Sequence, residues 1–547
     1  MRTSLFGAPP PRVRSESTAL IVEPTLGYIS AQPPTDLPLG ASPRSENFLA
    51  RDGGLEPRAT LSQHTATSNP LAGQVLGGVE IQNSVGSRFN VLSSISRWAW
   101  YSAGSYSPLS FVSSGGVSIA PSATTGDRVE FCQIYEATND EMLAVGSYTS
   151  SYQTMFCWKA GTTTFSTLTQ SPRARWVAPF DNFLIAANIR DVGSAQSKYV
   201  QRVQWSDRGN PFNWTTGLSG FQDLLDAKGQ VQRVIAQEAR IVLFFDQEIW
   251  VGVRGNFPST FQFAPLDRAI GTPYGKTVAD TPKGLVFMAK NFEMFLLPKE
   301  GGPAVSIGGN IHKHLRENID YPEYAWAVFD NLTETYQLYY ATRAGTSLPQ
   351  RSVWLNVANG SWHPQRFDQT AGARNLSAGW TGLLATGAAG LTWSNLSTLG
   401  YTWSSLPYTW GQMGPVSAAG QQVTYAGSSD GTVWYFNSTG TNDDGTPVTS
   451  RWRSSALGGE MPEAVKVVNA FRVDYSSAAS SSISVAFSRD QGATFDTPFV
   501  VALAQAEDQM TGVGYPYTAG RYPMFEVTTN DRPRLTRFWL ATRVGGR

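Results

Sequence analysis

The feature that most constrains this chain is a repeated pattern of short apolar or alternating segments, joined in pairs by polar turns, that begins at about Phe48. Segments of about four to eight such residues are typical of β-strands, and turns rich in Asp, Asn and Gly are typical of hairpins. Pairs of strands are predicted over residues 175–189, 240–253, 284–298, 326–342 and 352–364, and single strands over 141–147, 152–161 and 163–169. The pattern predicts an all-β protein.

The spacing of these pairs favours a β-propeller. Small antiparallel sheets that recur about every 40 to 50 residues bury their faces by stacking on one another. We predict an N-terminal arm over residues 1–45, a propeller of about six to eight blades over residues 46–450, and a C-terminal β region over residues 451–547. The last region either closes the propeller or forms a small β domain. The alternative architecture is two or three separate β-sandwiches.

The arm is predicted from proline content. Eight of the 32 prolines lie in the first 45 residues, where apolar periodicity is weak. Such a segment is expected to be extended, either as a disordered leader or as a strap that orders on a neighbouring subunit. The first residues lack the apolar segment of an export signal, and the longest apolar run, at residues 241–245, is too short to cross a bilayer. We therefore expect no membrane insertion.

Composition limits the classes of partner. The 42 basic and 42 acidic residues balance, so whole-chain charge would not draw the protein onto nucleic acid or an anionic membrane. The two cysteines, Cys132 and Cys157, cannot form a disulfide framework and are expected to be buried in strands. A short helix is predicted over residues 309–320, where Ile311, Leu315 and Ile319 recur at a spacing of four.

Residues 205–215, WSDRGNPFNWT, place two tryptophans around a turn. We expect Trp205 to end a strand, Asn210 and Pro211 to turn the chain, and Trp214 to pack back as the next segment begins. In this interpretation the two aromatic rings seal the corner of a blade, so all four residues have structural roles.

Two further motifs are interpreted as turns. Asp430 and Gly431 form the centre of a turn typical of outer blade hairpins, within residues 428–436. Residues 488–495 fit the Asp-box pattern, in which the aspartate is expected to accept hydrogen bonds from turn amides, the glycine to adopt unusual dihedral angles and the phenylalanine to pack inward. The pattern is carried by Ser488, Asp490, Gly492, Thr494 and Phe495.

No catalytic, cofactor-binding or metal site is predicted. Gly275-Lys276-Thr277 ends like a phosphate-binding loop, but the first glycine of that motif is out of register. His312 and His314 point to different faces of the predicted helix, which disfavours a shared metal ion. The best enzymatic alternative is a propeller glycosidase, because Asp-boxes occur in sialidases. Aromatic residues at 401–410 could stack on sugar rings or fill blade interfaces.

Several segments resemble one family in their sequence order. Residues 46–63 resemble the pattern N-F-x-x-x-x-G-x-L-x-P-R, and residues 203–217 resemble W-S-x-x-x-N-P-x-x-W. Similar segments follow at residues 229–253, 264–298, 306–315 and 352–364. In these segments the chain resembles the nozzle proteins of short-tailed bacteriophages, also called tail tubular protein B or packaged-DNA stabilisation proteins.

The resemblance implies a structural, non-enzymatic protein of the virion, assembled in the cytoplasm of the host bacterium. Six copies would form a ring below the portal and the adaptor, contact tail fibres or a needle, retain packaged double-stranded DNA and conduct it during ejection. Zero net charge is compatible with a wall along which DNA slides. The alternative function is that of a propeller-type tail protein that binds or hydrolyses glycans.

Overall fold

A computed structural model describes residues 17–544 apart from 65–70, 72, 85, 103–104, 114–119, 125, 150–152, 191–197, 257–258, 343–347, 369–373, 385–420 and 459–463. The chain divides into two compact units. One comprises Met1–Arg58, Ser361–His363 and Pro447–Arg547, and is called here the sandwich unit. The other comprises Ala59–Gly360 and Pro364–Thr446, and is called the propeller unit.

The sandwich unit begins with six strands. They are β1 (Ser17–Val22), β2 (Gly27–Tyr28), β3 (Ala41–Ser42), β4 (Arg44–Glu46), β5 (Phe48–Arg51) and β6 (Gly54–Pro57).

The propeller unit begins with strand β7 (Thr60–Gln63) and continues through successive blades, the first two of which are joined into one eight-stranded sheet by a parallel strand pair. Blade 1 contains β8 (Gly77–Gln82), β9 (Arg88–Ser93), β10 (Trp98–Ser102) and β11 (Ser105–Val112). Blade 2 contains β12 (Val129–Glu136), β13 (Glu141–Tyr148), β14 (Phe156–Lys159) and β15 (Thr164–Thr167). Blade 3 contains β16 (Arg173–Phe180), β17 (Phe183–Arg190), β18 (Lys198–Trp205) and β19 (Gly220–Asp223).

Blade 4 contains β20 (Val231–Gln237), β21 (Arg240–Phe245), β22 (Ile249–Arg254) and β23 (Phe261–Asp267). Blade 5 contains β24 (Ala279–Thr281), β25 (Gly284–Met288), β26 (Met294–Pro298) and β27 (Val305–Ser306). Before blade 6 comes the helix α1 (His312–Asn318). Blade 6 contains β28 (Ile319–Asp320), β29 (Trp326–Asp330), β30 (Thr335–Thr342), β31 (Arg351–Asn356) and β32 (Trp362–Arg366). Short 3-10 helices, Gly275–Thr277 and Pro322–Tyr324, precede β24 and β29.

Blade 7 is built from both ends of the propeller unit. Its strands β33 (Leu376–Leu384), β34 (Gln421–Ser428) and β35 (Val433–Asn437) are completed by β7, which pairs antiparallel with β35. The inner strands β8, β12, β16 and β20 contact one another in that order, and so do β24, β29, β33 and β8. Between blades 4 and 5 the ring is bridged by a hydrogen bond from Gln237 Nε2 to Asp280 Oδ1 at 3.0 Å. The described residues therefore form a closed propeller of seven blades.

Apolar clusters between neighbouring blades hold the ring together. One cluster joins blades 3 and 4, another joins blades 2 and 3, and others join blades 1 and 2, 4 and 5, and 7 and 1. Close approach of the inner strands also requires glycine. A Cβ atom at Gly379 would lie 2.2 Å from the Trp326 ring, and one at Gly78 would lie 2.6 Å from the Trp380 ring. These tryptophans thus occupy the space that a larger residue would fill.

Beyond blade 7, β36 (Asn442–Asp443) pairs with β37 (Thr446–Pro447), and the chain then supplies the remaining strands of the sandwich unit. They are β38 (Ser450–Arg453), β39 (Lys466–Ser477), β40 (Ser481–Ser488), β41 (Phe499–Leu503), β42 (Ala506–Gly514), β43 (Thr518–Gly520), β44 (Met524–Thr529) and β45 (Arg534–Val544).

The sandwich unit consists of two main sheets. One has the order β42-β39-β45-β6-β5, with β1 also paired to β45 and β43 to β39. The other has the order β4-β38-β44-β40-β41. Their core is rich in aromatic residues, which bury large apolar areas. It includes Phe48, Leu55, Trp452, Phe471, Phe525 and Phe538.

The structure corrects the predicted domain organisation. The described part of the arm, from Ser17 onward, belongs to the sandwich unit, because β1 pairs with β45 in register from Ser17↔Arg543 to Val22↔Phe538. Residues 1–16 lie outside the described residues. The C-terminal region does not close the propeller, since β7 does so from the N-terminal side. The pairing partners come from opposite ends of the sequence, so no local pattern could reveal them.

The all-β architecture, the propeller and the predicted strand pairs are confirmed. Each predicted pair falls on two consecutive strands of one blade, as in β16 and β17, where Asp181 and Asn182 form the turn with positive φ. The predicted helix is α1, with Ile311, Leu315 and Ile319 buried around it. The part of the chain that the structure describes contains no helix long and apolar enough to cross a membrane.

Candidate functional site

The propeller unit has a cavity of about 640 Å³ at its centre, called here the central cavity. It is lined by the inner strands β8, β12, β20, β24, β29 and β33. Four charged side chains of its lining lie at or just before the first residues of three of these strands. They are Arg128, Glu130, Arg233 and Lys276. We take this charged cluster as the candidate site, because ligand sites are usually concave and carry a few converging polar groups.

Glu130 is the centre of the cluster. Its Oε2 atom accepts from Lys276 Nζ and forms an ion pair with Arg233 Nη1. Both cations also face the ring of Trp176, with Lys276 Nζ and Arg233 Cζ each 5.4 Å from the ring centroid. Trp176 is fixed by a hydrogen bond from its Nε1 atom to Val231 O at 3.2 Å. The two cations are thus held between one carboxylate and one aromatic face.

Arg128 lies beside this group and is only 5% exposed. Its Nη1 atom donates to Asp127 O at 2.7 Å, and its guanidinium lies 5.4 Å from the centroid of the Tyr324 ring. Within the described residues, its Nη2 atom has no hydrogen-bond partner. Burial lowers the pKa of Arg128 to about 10, although Tyr324 and Asp127 raise it.

The pKa shifts of Glu130 and Lys276 indicate which charges the cluster carries. Burial alone would raise the pKa of Glu130, but Arg233 and Lys276 outweigh it, so the pKa of this carboxyl is lowered. Burial, opposed by Glu130 and assisted by the neighbouring Arg233 and Arg128, lowers the pKa of Lys276 to about 8. The site therefore holds an ionised carboxylate and an excess of positive charge.

This arrangement suits electrostatic binding better than proton transfer. A general acid among carboxylates needs a raised pKa, whereas the pKa of Glu130 is lowered by its two cationic partners. Two further carboxylates line the cavity. Glu80 forms an ion pair with Arg88 at 2.7 Å, and Asp280 accepts from Gln237 at 3.0 Å. Each carboxylate of the lining therefore has a fixed partner.

The tryptophan motif lies in blade 3, away from the central cavity. Trp205 ends β18 and packs between blades 3 and 4, where its ring lies 5.0 Å from that of Phe261. Trp214 packs instead between blades 2 and 3, and its Nε1 atom donates to Pro211 O at 2.8 Å. The two rings thus cover opposite faces of blade 3 rather than one corner.

The turn between the tryptophans is held by local hydrogen bonds. Asn210 Oδ1 accepts from Phe212 N at 3.1 Å, and Asp207 N donates to Asn213 O at 2.7 Å. Trp205 Nε1 donates to Leu218 O at 2.9 Å, beyond the turn. The motif therefore fixes the path from β18 to β19.

Asp430 and Gly431 lie in the turn between β34 and β35. Asp430 Oδ1 accepts from Thr432 N at 2.9 Å and from Ser428 Oγ, and Gly431 has φ of +89°. Burial would raise the pKa of Asp430, but these hydrogen bonds hold it below its usual value. The Asp430 carboxylate therefore accepts hydrogen bonds from residues of its own turn.

The Asp-box lies in the sandwich unit, just after β40. Asp490 Oδ1 accepts from Thr494 N and Ser488 Oγ, each at 2.8 Å, and Ser488 Oγ accepts from Gly492 N at 2.8 Å. Gly492 has φ of +86°. The prediction for Phe495 is wrong, because this ring is half-buried under the Arg453 guanidinium, 4.4 Å from its centroid, and does not enter the core.

Sequence reasoning missed the charged cluster. Lys276 drew attention only as part of an incomplete phosphate-binding motif, and Glu130, Arg233 and Arg128 lie in or beside ordinary strand patterns. The available signal was charge in segments predicted to be buried, since buried charges are seldom found without a partner. The aromatic residues at 401–410 lie outside the described residues.

The histidines and cysteines of the described chain have other partners or surroundings. His312 Nε2 lies 3.0 Å from Asn291 O, and His314 Nε2 lies 2.9 Å from Tyr340 Oη. Cys132 and Cys157 are free and buried. They lie on β12 and β14, the two strands that flank β13, and both are register partners of Val145 on β13. Among the described residues, no group of three or more histidine, cysteine or acidic side chains could hold a metal ion.

Comparison with known proteins gives structural similarity only. No protein-family model matches the chain, and no curated protein matches it. The WD40 domain of Neurospora crassa Pan2 is similar with a TM-score of 0.36 and 7% identity over 70% of this chain and 97% of that one. YCF48 from Cyanidioschyzon merolae has a TM-score of 0.37 and 10% identity over 69% and 99%. An exo-β-1,3-galactanase from Phanerochaete chrysosporium has a TM-score of 0.28 and 10% identity over 88% and 100%.

Proposed function

We propose that this protein is the nozzle subunit of a short-tailed bacteriophage. Six copies form a ring below the portal and adaptor of the virion, close the head–tail channel, retain the packaged double-stranded DNA and conduct it during ejection. Tail fibres or a needle attach to the same assembly. The protein acts through assembly and carries out no catalysis.

The observation that carries this proposal is the structural role of the residues that resemble the family. In the first pattern, Asn47 has φ of +60°, Gly53 has φ of +76°, and Phe48 and Leu55 are fully buried in the sandwich core. Arg58, the last residue of the pattern, bonds back to Asn47. The residue types that define the resemblance are therefore the ones that this hairpin requires.

The later segments of the resemblance also fall on one continuous structure. Residues 203–217 connect β18 to β19 in blade 3, residues 229–253 and 264–298 build most of blades 4 and 5, and residues 352–364 connect β31 to β32. The second pattern contains both tryptophans that cover blade 3. A shared order of segments that builds consecutive blades supports common architecture more strongly than any single motif does.

The surface of the sandwich unit supports assembly with other chains. Two of its edge strands, β41 and β42, carry exposed apolar side chains, among them Val500 at 67% exposure. Tyr515 and Tyr517, between β42 and β43, are 67% and 71% exposed. Open strand edges and exposed aromatic rings are costly in an isolated protein and are common in subunit interfaces.

The electrostatics of the central cavity favour a structural protein over the glycan-hydrolysing alternative. Glycosidases generally use two carboxyl groups, one of which has a raised pKa and acts as the acid. In the central cavity the pKa of Glu130 is lowered by Arg233 and Lys276, and Asp280 is bound to Gln237. Glu130, with its lowered pKa, is therefore unsuited to the role of that acid.

Particle complementation tests the function. Phage particles produced without this protein should package DNA and then lose it, and the purified full chain should restore DNA retention and infectivity when added to adaptor-bearing heads. A protein that only binds or cleaves host glycans would give the opposite result. Heads lacking it would keep their DNA and fail at adsorption, and that outcome would refute the nozzle proposal.

A further inference from the structure

We propose that the central cavity of the propeller unit is a binding site for a small phosphate-type anion, held by Arg128, Arg233 and Lys276. This site is distinct from the assembly function proposed above and does not depend on it. The ligand class is inorganic phosphate or the phosphate group of a small phosphomonoester.

The charge of the cluster supports an anionic ligand. Three cationic side chains lie in the same region of the cavity as Glu130, which pairs with two of them, and the buried Asp127 beside Arg128 partly offsets the charge of the third. Of the two other carboxylates in the lining, Glu80 is paired with Arg88, and Asp280 accepts a hydrogen bond from Gln237. Clustered cations in a cavity with low-dielectric walls concentrate anions from solution, and the mutual repulsion of the cations is relieved when an anion binds.

The hydrogen-bonding state of Arg128 gives an independent reason. This side chain is 5% exposed and lines the cavity, yet its Nη2 atom has no partner among the described residues. The Nε atom of Arg233 is likewise without a hydrogen-bond partner in that part of the chain. Buried donors on charged groups are normally satisfied, so unused donors on two arginines of one cavity favour a ligand with several acceptor oxygens.

Phosphate fits these features better than a halide or an apolar molecule. Guanidinium groups bind phosphate through planar, two-point hydrogen bonding, and a lysine adds a compact positive charge. Lys276 is 20% exposed at its side chain and Arg233 is 16% exposed, so both remain accessible from the cavity. A volume of about 640 Å³ accommodates a phosphate with a small organic substituent.

Substitution of Glu130 tests the proposal, because the proposal predicts that phosphate binding becomes tighter and not weaker. As a carboxylate bound to two of the three cations, it competes with an anionic ligand. The variant Glu130→Gln removes this negative charge and should bind phosphate several-fold more tightly than the wild-type chain. A purely structural ion-pair cluster would give no such gain, because removal of its carboxylate could only weaken the cluster.

The experiment is isothermal titration calorimetry of the purified full chain with inorganic phosphate and, in a parallel arm, with ribose 5-phosphate, at constant ionic strength. We expect saturable binding of one ligand per chain, about tenfold weaker in Arg128→Met and in Lys276→Met, and unchanged in the surface control Arg208→Gln, whose ion pair with Asp181 lies outside the cavity lining. Tighter binding in the ribose 5-phosphate arm identifies a phosphomonoester as the preferred source, and equal or weaker binding identifies the free anion.

Two results would overturn the proposal. One is the lack of saturable binding of either ligand to a wild-type chain shown to be folded by circular dichroism. The other is an affinity for phosphate that is equal in wild type, Glu130→Gln and Arg128→Met. Since the assay uses the isolated chain, its failure leaves the proposed assembly function unaffected.

Discussion

Asn47 and Arg58 are joined by two hydrogen bonds across the ends of the β5–β6 hairpin. The Arg58 backbone N donates to Asn47 O at 2.8 Å, and Arg58 Nε donates to Asn47 Oδ1 at 3.2 Å. Arg58 is 1% exposed, and its own carbonyl accepts from Arg532 Nη1 at 2.7 Å. The backbone carbonyl of Arg58 thus joins the hairpin to Arg532, in the segment before β45, and the buried Arg58 side chain joins the two ends of the hairpin.

The variant Arg58→Met should destabilise the sandwich unit by about 2 kcal/mol or more, because it leaves Asn47 Oδ1 buried without this donor. Hydrogen exchange followed by mass spectrometry should show faster exchange in peptides from β5, β6 and β45. Arg489→Met is the matched control, since Arg489 forms an ion pair at the surface. Equal exchange in the two variants would show that the buried arginine is dispensable.

Gly379 provides a test of ring packing in the propeller. An added Cβ would lie 2.2 Å from the Trp326 ring, so Gly379→Ala should destabilise the propeller unit by about 1 to 3 kcal/mol through overpacking. Gly309→Ala is the control, because a Cβ at Gly309 meets no atom within 4 Å. Thermal unfolding of both variants checks the prediction. A similar melting temperature for the two would contradict the close approach of blades 6 and 7.

His64 should make closure of the propeller sensitive to pH. It follows β7, its Nδ1 atom lies 2.9 Å from Tyr106 Oη, and burial lowers its pKa from 6.5 to about 4. The neutral form is favoured in the folded state, so its contribution is complete above pH 6.5 and is lost as the pH falls towards 4. At pH 5 the loss is about 2 kcal/mol relative to pH 7.

The variant His64→Phe removes this titration and keeps an aromatic ring among the surrounding tyrosines. Its stability, measured by denaturant unfolding at pH 7 and pH 5, should change less with pH than that of the wild type. His314 and His363 also have lowered pKa values and are present in both proteins, so their effects cancel in the comparison. An identical pH dependence would exclude His64 as its source.

The Asp-box predicts a pH effect in a lower range. Hydrogen bonds from Thr494 and Ser488 lower the pKa of Asp490 from 3.8 to about 2. The ionised form stabilises the turn above pH 3.8, and this contribution disappears as the pH falls through 2. Asp490→Ala should therefore lower the melting temperature at pH 7, and the difference from wild type should shrink towards pH 2. A difference that is constant with pH would rule out the carboxylate as the origin.

Local sequence signals predict the strands and turns well but fail for contacts between distant segments. Asp181 and Asn182 specify a tight turn by themselves, and the paired strands around them follow from apolar periodicity. Pairing of β1 with β45 and of β7 with β35 depends on segments from opposite ends of the chain or unit. Such pairings leave no short-range pattern, so the domain boundaries were misplaced.

The contrast between local and long-range contacts also explains which site residues could be predicted from the sequence. The Asp430 turn and the Asp490 turn are made of neighbouring residues, so their hydrogen bonds could be anticipated. The charged cluster brings Glu130 together with Lys276, which lies far along the chain on another blade. Only ring closure places these side chains in one cavity, and a single sequence without the fold does not reveal this.

The most direct test of the proposed nozzle function is the mass and symmetry of the purified full chain, alone and mixed with the adaptor and portal of the phage that encodes it. Light scattering coupled to size-exclusion chromatography, with negative-stain imaging, measures both. The proposal predicts a six-fold ring with a central opening and a mass six times 59.5 kDa, either alone or on the adaptor. A chain that stays monomeric or trimeric and does not bind the adaptor would contradict it.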